Sequence, residues 1–441
     1  MSAELDIVIR NATVVTMNGR REVVQGDVAI KGNTIAAVGT VQGRGAQELD
    51  GQGCALLPGL VQAHVHLCQT LFRNVGEGMP LLAWLKTWIW PLEACHDERS
   101  MRASVRLGVA ELLRSGTTSI LDMGSVHHTE AIFSELEALG LRATSGKAMM
   151  DCDEDCPIGL REDMATCVDT SLALLRRWHG AGNGRLRYAF APRFALSSSP
   201  ALHRLTIEEA RRHKVKVHTH AAESREEVAQ LRARTGKGNI IYLHELGVTG
   251  PDLCLAHCIW LEDEEMAILR QTGTHVLHCP TANLKLGSGI AKVPEMRAMG
   301  INVGLGADGA ACNNNLDVFL EMRMAALIQG ARLRAGALSA QAALEMATLG
   351  GARALGLADE IGSIEVGKKA DVVLVQVHRP HNCPGHDIYG QIVFSCSSRD
   401  VRTVIVDGKI LVEDGRVLVL DEEEVVKKAE EEVRRLLQKL G

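Results

Sequence analysis

Aromatic side chains make up only 3% of the 441 residues. That is too few for a groove that stacks the successive bases of a single strand. Positive charge is also in deficit, with 48 Lys and Arg against 54 Asp and Glu and a net charge of −6. Polyphosphates and anionic lipid surfaces need a basic face, so neither a nucleic acid nor a membrane partner is expected. No apolar run reaches transmembrane length. The opening MSAELDIVIR carries acids where a secretion signal needs a basic stretch and then an apolar one, which predicts a soluble, cytoplasmic protein. The 12 cysteines contain no CxxC pair. Oxidised scaffolds of that cysteine number are short and secreted, so buried free thiols are expected here. No fixed-period repeat or low-complexity tract is visible. A hydrophobic content of 46% with 23% charged residues excludes wholesale disorder. What the chain does hold is 17 histidines, and their positions are informative.

The two ends of the chain share a rhythm. Residues 5–40 alternate apolar and polar positions, with Asn18-Gly19 and Gly32-Asn33 as turn signals. Residues 362–420 do the same, with hairpin dipeptides Asp407-Gly408 and Asp414-Gly415. This predicts one small β-domain built from both termini. In between, short apolar runs alternate with amphipathic stretches. The strand candidates are 119–123, 141–149, 186–192, 214–220, 253–257, 275–280 and 301–308. So many strand–helix units in series favour a closed parallel barrel. The last twenty residues place Val426, Ala429, Val433, Leu437 and Leu440 on one helical face, expected to dock on the protein itself.

Chemistry in such a barrel collects where the strands end. The run LLPGLVQAHVHL delivers His64 and His66, two apart and so on one strand face. KVKVHTHAAE ends at His220, with Glu223 three residues on. LCLAHC ends at His257, and INVGLGAD at Asp308. Taken singly, each has an ordinary explanation: a chance HxH, a core histidine, a helix cap. Four strand ends closing in order with ligand-type residues point instead to a divalent cation, Zn²⁺ first and Fe²⁺ or Mn²⁺ in similar geometry. Gly304-Leu305-Gly306-Ala307-Asp308-Gly309 also fits the dinucleotide fingerprint GxGxxG, but the polar, turn-like AACNNNLD that follows cannot open the apolar helix which that fingerprint requires.

The segments PGLVQAHVHL, HTHAAE, LAHC, HCPTANLKLGSG and GADGAACNNNLDVFLEMR together resemble the amidohydrolase superfamily, and its aminohydrolase branch in particular. That branch includes methylthioadenosine/S-adenosylhomocysteine and 5′-deoxyadenosine deaminases, triazine hydrolases and guanine deaminase. The resemblance implies a distorted (β/α)₈ TIM-type barrel over 59–361. It also implies a small β-sandwich from 1–58 and 362–441, the latter including the C-terminal helix. It implies one metal ion held by His64, His66, His220 and Asp308. Asp308 would also accept a proton from water, Glu223 would carry protons to the ring nitrogen, and His257 would stabilise the new oxygen. The HxE…PCxxC arrangement of the cysteine-ligated zinc deaminases is missing.

The resemblance pulls two ways on the substrate. Glu93, in WLKTWIWPLEA, matches a position that grips ribose hydroxyls in the adenosine-type enzymes, and a carboxylate can accept both bonds of a vicinal diol. Gln69 and the pair Arg193-Phe194 are similar to guanine deaminase residues that hold the polar edge of a base. Adenosine-type members carry histidine where Arg193 stands, yet GADGAACNNN is similar to that group, with Cys312 where serine is common. Trp84, Trp88 and Trp90 could wall the ring, with Trp90 the preferred one. His127, His128, His278, Asn283, Lys285 and His218 are expected around the site as supporting residues. The expected activity is therefore hydrolytic deamination of a small purine- or pyrimidine-like molecule, first a 5′-modified adenosine. The alternatives are a free 2-amino-oxo base and hydrolysis of a triazine. The flanking helices leave room for a homo-oligomer.

Overall fold

A computed structural model describes residues 5–152 and 156–440; the outermost residues of both expected terminal segments lie outside them. Five strands open the chain: β1 (Leu5–Val15), β2 (Val23–Lys31), β3 (Thr34–Gly39), β4 (Gly45–Asp50) and β5 (Cys54–Pro58). Nine follow in the middle: β6 (Leu60–Val65), β7 (Thr117–Met123), β8 (Arg142–Gly146), β9 (Ala148–Met149), β10 (Leu186–Pro192), β11 (Lys216–Ala221), β12 (Leu253–His257), β13 (His275–His278) and β14 (Val303–Leu305). Four close it: β15 (Val372–Gln376), β16 (Val401–Val406), β17 (Lys409–Glu413) and β18 (Arg416–Val417).

The nine middle strands form one parallel sheet in the order β14-β13-β12-β11-β10-β8-β7-β6, with β9 also on β10. Strands buried on both faces need unbroken apolar runs, and all residues of β6, β7 and β12 are buried. The expected strand 141–149 is interrupted at Lys147, giving β8 and β9. The sheet nearly closes on itself: Val65 at the end of β6 bridges to Asp308 beyond β14, and the Asp308 N–H donates to the His64 carbonyl at 3.0 Å. The glycine-rich run serves this seam. A Cβ on Gly306 would stand 2.6 Å from the His64 carbonyl oxygen, so only glycine lets the last strand approach the first.

The ends of the chain make a separate, largely antiparallel sheet, β18-β17-β16-β15-β5-β1-β2-β3, with β4 also on β1. The two ends join where β15 pairs antiparallel with β5, Val372 opposite Pro58. Asp407-Gly408 and Asp414-Gly415 sit at φ of 51° and 77°, and 47° and 74°, as the tight hairpin turns require. Arg142, on β8, ties barrel to sheet. Its guanidinium donates to both oxygens of Asp371 at 2.6 and 3.0 Å and to Asp407 at 3.2 Å, all buried.

The C-terminal helix Glu422–Leu440 packs against the helix Glu98–Arg114, but not by the face read from the sequence. Val425, Ala429, Glu432 and Leu436 are buried, whereas Val426, Leu437 and Leu440 are exposed. The reason is Glu432, whose carboxylate is paired inside with Arg99 and Arg435 and so occupies an inward position. Among the described residues no helix is long and apolar enough to cross a membrane.

Candidate metal centre and active-site cleft

The strand ends converge as the barrel geometry demands. His64 is the penultimate residue of β6 and His66 lies just past it; His220 is on β11, His257 ends β12, and Asp308 follows β14. Ligand-type atoms of His64, His220 and His257 lie within 4.8 Å of one another, as do those of His64, His66 and Asp308. Asp308 Oδ1 is 3.3 Å from His64 Nε2 and 3.4 Å from His66 Nε2. Two of these residues pay in backbone conformation: His257 and Asp308 sit at φ of 73° and 67°, a left-handed region that side chains rarely occupy outside functional sites.

The hydrogen bonds around the imidazoles test whether a cation fits. His66 Nδ1 lies 3.0 Å from the Met123 carbonyl, and His220 Nδ1 lies 2.7 Å from that of Arg193. A carbonyl only accepts, so both rings carry their proton on Nδ1. Burial holds both rings neutral, pushing His66 down to about 3 and His220 well below its ordinary value. Their bare Nε2 atoms then face each other at 3.2 Å. Two lone pairs at that distance repel unless a cation lies between them. The buried Nε2 of His64 has no hydrogen-bond partner either. The donor set of nitrogens and one carboxylate suits zinc-like ions.

Glu223 stands beside this group, its Oε2 3.5 Å from His257 Nε2. Burial, and then the negative charge of Asp308, push its carboxyl well above the usual range. Its Oε1 is buried without a partner. Burial alone would raise Asp308 as well, but the surrounding imidazoles of His64, His257 and His66 hold it well below the usual range. Two carboxyls lining one cleft with their pKa values pushed in opposite directions are the arrangement for moving protons. Asn283 Oδ1, 2.8 Å from His257 Nδ1, fixes that ring. Glu227 accepts the backbone N–H groups of Ala222 and Glu223, at 3.1 and 2.7 Å, and so holds the loop that carries Glu223. Glu227 went unnoticed in the sequence; its signal was Ser224-x-x-Glu227, a helix-start pattern with the Ser224 hydroxyl capping at 3.1 Å.

A narrow cleft opens over these groups, lined by His66, Gln69, Arg193, Phe194, His220, Glu223, His257, Asp308 and Cys312. Leu81, Trp84, Leu85 and Leu286 complete it. Trp84 therefore takes the wall position expected of Trp90. Trp90 is buried behind, its ring 6.4 Å from that of Phe194. Residues 81–94 are helical with a widened turn over Leu85–Ile89, just ahead of Pro91, which has no N–H to give the helix.

Glu93 does not line the cleft. It lies beneath Arg193, which donates to it at 2.6 and 3.0 Å, and Gln69 Nε2 adds a third bond at 2.8 Å. Burial opposes the charge, but Arg193 keeps the carboxylate ionised. The three residues expected to bind different substrates thus form a single network. His278 is buried at the end of β13. Lys285 ties Glu77, Asn314 and the Ala311 carbonyl together. His127 and His128 line a different surface hollow with Lys147 and Glu162, away from the cleft.

Comparison with known proteins agrees with this geometry. A methylthioadenosine/S-adenosylhomocysteine deaminase of Pelotomaculum thermopropionicum is 38% identical over 416 residues, covering 92% of this chain and 93% of its own. The crystal structure of an adenosine deaminase from Xanthomonas campestris with bound zinc superimposes with a TM-score of 0.93 at 30% identity, covering 99% of both chains. E. coli guanine deaminase does so with a TM-score of 0.83 at 29% identity, over 92% of this chain and 99% of that one. The sequence model described as "Amidohydrolase family" matches residues 55–411, from the strand before the first two histidines to the far sheet, and with it the chain belongs to the amidohydrolase family.

Proposed function

We propose that the protein is a metal-dependent aminohydrolase that removes ammonia from an amino-substituted nitrogen heterocycle, first among them the 5′-modified adenosines (5′-deoxyadenosine, methylthioadenosine, S-adenosylhomocysteine) for which its relatives are named. The observation that carries this reading is the convergence of the ligand-type atoms of His64, His66, His220 and Asp308 in one cleft, with Glu223 and His257 beside them. A divalent cation, Zn²⁺ in first place, held by His64, His66, His220 and Asp308 would lower the pKa of a bound water towards ~7. Glu223 gives its proton to the ring nitrogen next to the amine-bearing carbon, which makes that carbon electrophilic. Asp308 accepts the proton of the attacking water. His257, its Nδ1–H held by Asn283 Oδ1, turns its Nε2 to the reacting oxygen and accepts a hydrogen bond from the attacking water. The resulting tetrahedral carbon bears OH and NH₂, and proton return through Glu223 lets ammonia leave.

One observation favours a second reading. Arg193 already donates to both Glu93 oxygens and Glu93 does not line the cleft, so Glu93 is not turned outward to take a ribose diol. What faces it is Gln69 and the outer edge of Arg193, donors suited to the oxo group of a free base such as guanine or isocytosine. Ammonia release from metal-loaded protein, measured across 5′-deoxyadenosine, methylthioadenosine, guanine and isocytosine, tests both. Turnover of the nucleosides supports the first reading, turnover of the bases the second, and silence on all four overturns the deaminase assignment.

A further inference from the structure

The hydrogen bond that orients His64 differs in kind from those of the other two imidazoles. His66 and His220 donate from Nδ1 to main-chain carbonyls, which can only accept. His64 turns its Nδ1 to a side chain instead, the Nε2 of His218, at 2.7 Å and with the rings perpendicular at 89°. Both rings are wholly buried, so no solvent takes part. One proton lies between the two nitrogens, and either ring can own it. If His218 owned it, His64 would carry its own proton on Nε2. That proton would point at Asp308, 3.3 Å away, and leave no lone pair for a cation. If His64 owns it, Nε2 is bare and the ring can ligate.

We propose that His218 is a positioning residue which, by offering its Nε2 lone pair, holds His64 in the Nδ1–H tautomer and aims His64 Nε2 at the metal centre. His218 must then carry its proton on Nδ1, and that atom is buried with no partner. An unpaired buried donor is costly. An apolar side chain would fill the same space without that cost, so the acceptor lone pair is what the histidine adds. This inference rests on the metal-dependent reading of the site, but its test does not pass through the substrate.

His218→Gln keeps an acceptor at similar reach; His218→Met has nearly the same shape without one. Each is purified metal-free, and Zn²⁺ affinity is measured by competition with a chromogenic chelator. Co²⁺-loaded protein gives a visible spectrum as a second readout, and thermal melting checks the fold. Loss of an outer hydrogen bond to a metal-ligating histidine costs roughly 10- to 100-fold in affinity. The expected result is a loss of that size in the Met variant, with a changed Co²⁺ spectrum, and most of the affinity kept in the Gln variant. Equal affinities and spectra in the two variants would overturn the role of His218, as would a Gln variant as weak as the Met one. A parent protein that takes up neither ion would instead overturn the metal reading, and this role with it.

Discussion

Arg193 grips Glu93 with both terminal nitrogens, at 2.6 and 3.0 Å, across 100 residues of sequence and in the floor of the cleft. The same residue's main-chain carbonyl accepts from His220 at 2.7 Å. One position of β10's trailing loop therefore orients His220 with its backbone and pairs Glu93 with its side chain.

That pairing makes substrate choice sensitive to Arg193. Arg193→His frees Glu93, and kcat/KM for 5′-deoxyadenosine is expected to rise while that for guanine falls by on the order of tenfold or more. Steady-state ammonia release with both substrates checks this. A variant whose guanine-to-nucleoside ratio equals the parent's would show that the pair does not govern specificity.

Glu223→Gln keeps the shape and removes the transferable proton. Deamination should drop by roughly 10²- to 10⁴-fold, with bound metal unchanged. Metal content by elemental analysis, alongside turnover, separates a proton-transfer role from loss of the site.

Asn283→Leu leaves His257 Nδ1 without its 2.8 Å anchor. The expected outcome is a fall in kcat on the order of tenfold with KM little changed, because the ring acts on the reacting oxygen and not on binding. A change confined to KM would count against that role.

Arg142 should matter to the fold and not to the chemistry. Arg142→Met strands the buried Asp371, and removing one partner of such a pair costs about 3–5 kcal/mol. Denaturant unfolding should show that loss, while the kcat of the protein that remains folded stays at the parent value.

Asp97 gives a pH dependence. It caps the helix Glu98–Arg114 through the Ser100 N–H at 3.0 Å and takes Arg435 of the terminal helix at 2.6 and 2.7 Å. Those bonds, Arg435 first, hold its carboxyl well below the usual range. A depressed folded-state pKa stabilises above the unfolded value of about 3.9 and is lost as pH falls below it. Asp97 is 42% exposed, so solvent screening limits the effect to about 1 kcal/mol or less. Limited proteolysis of the C-terminal helix should quicken below pH 4 in the parent, and Asp97→Asn should remove that dependence.

The meeting of His64, His66, His220, His257 and Asp308 at one barrel mouth was legible because parallel strands deliver their last residues to a common rim, whatever lies between them. The Glu93–Arg193 contact was not. It depends on how residues 81–94 fold back over the rim, and no periodicity within either segment encodes that. Of the expected wall residues Trp84 and not Trp90 lines the cleft for a related reason: the widened turn at Leu85–Ile89 shifts the phase of the helix between them. On the terminal helix, apolar residues stand on both sides of a buried glutamate. A pattern that assumes acids face water therefore picks Val426 and Leu437 over Val425 and Leu436.

The seam between β14 and β6 has a consequence for the birth of the enzyme. The first pair of ligands is made early on the chain and the last ligand some 240 residues later, on the opposite side of the joint that Gly306 permits. Any nascent or broken chain that stops short of the eighth stave lacks the carboxylate that completes the donor set. Such a fragment should capture metal weakly and hydrolyse nothing, so that reactivity is switched on by the act of closing the ring.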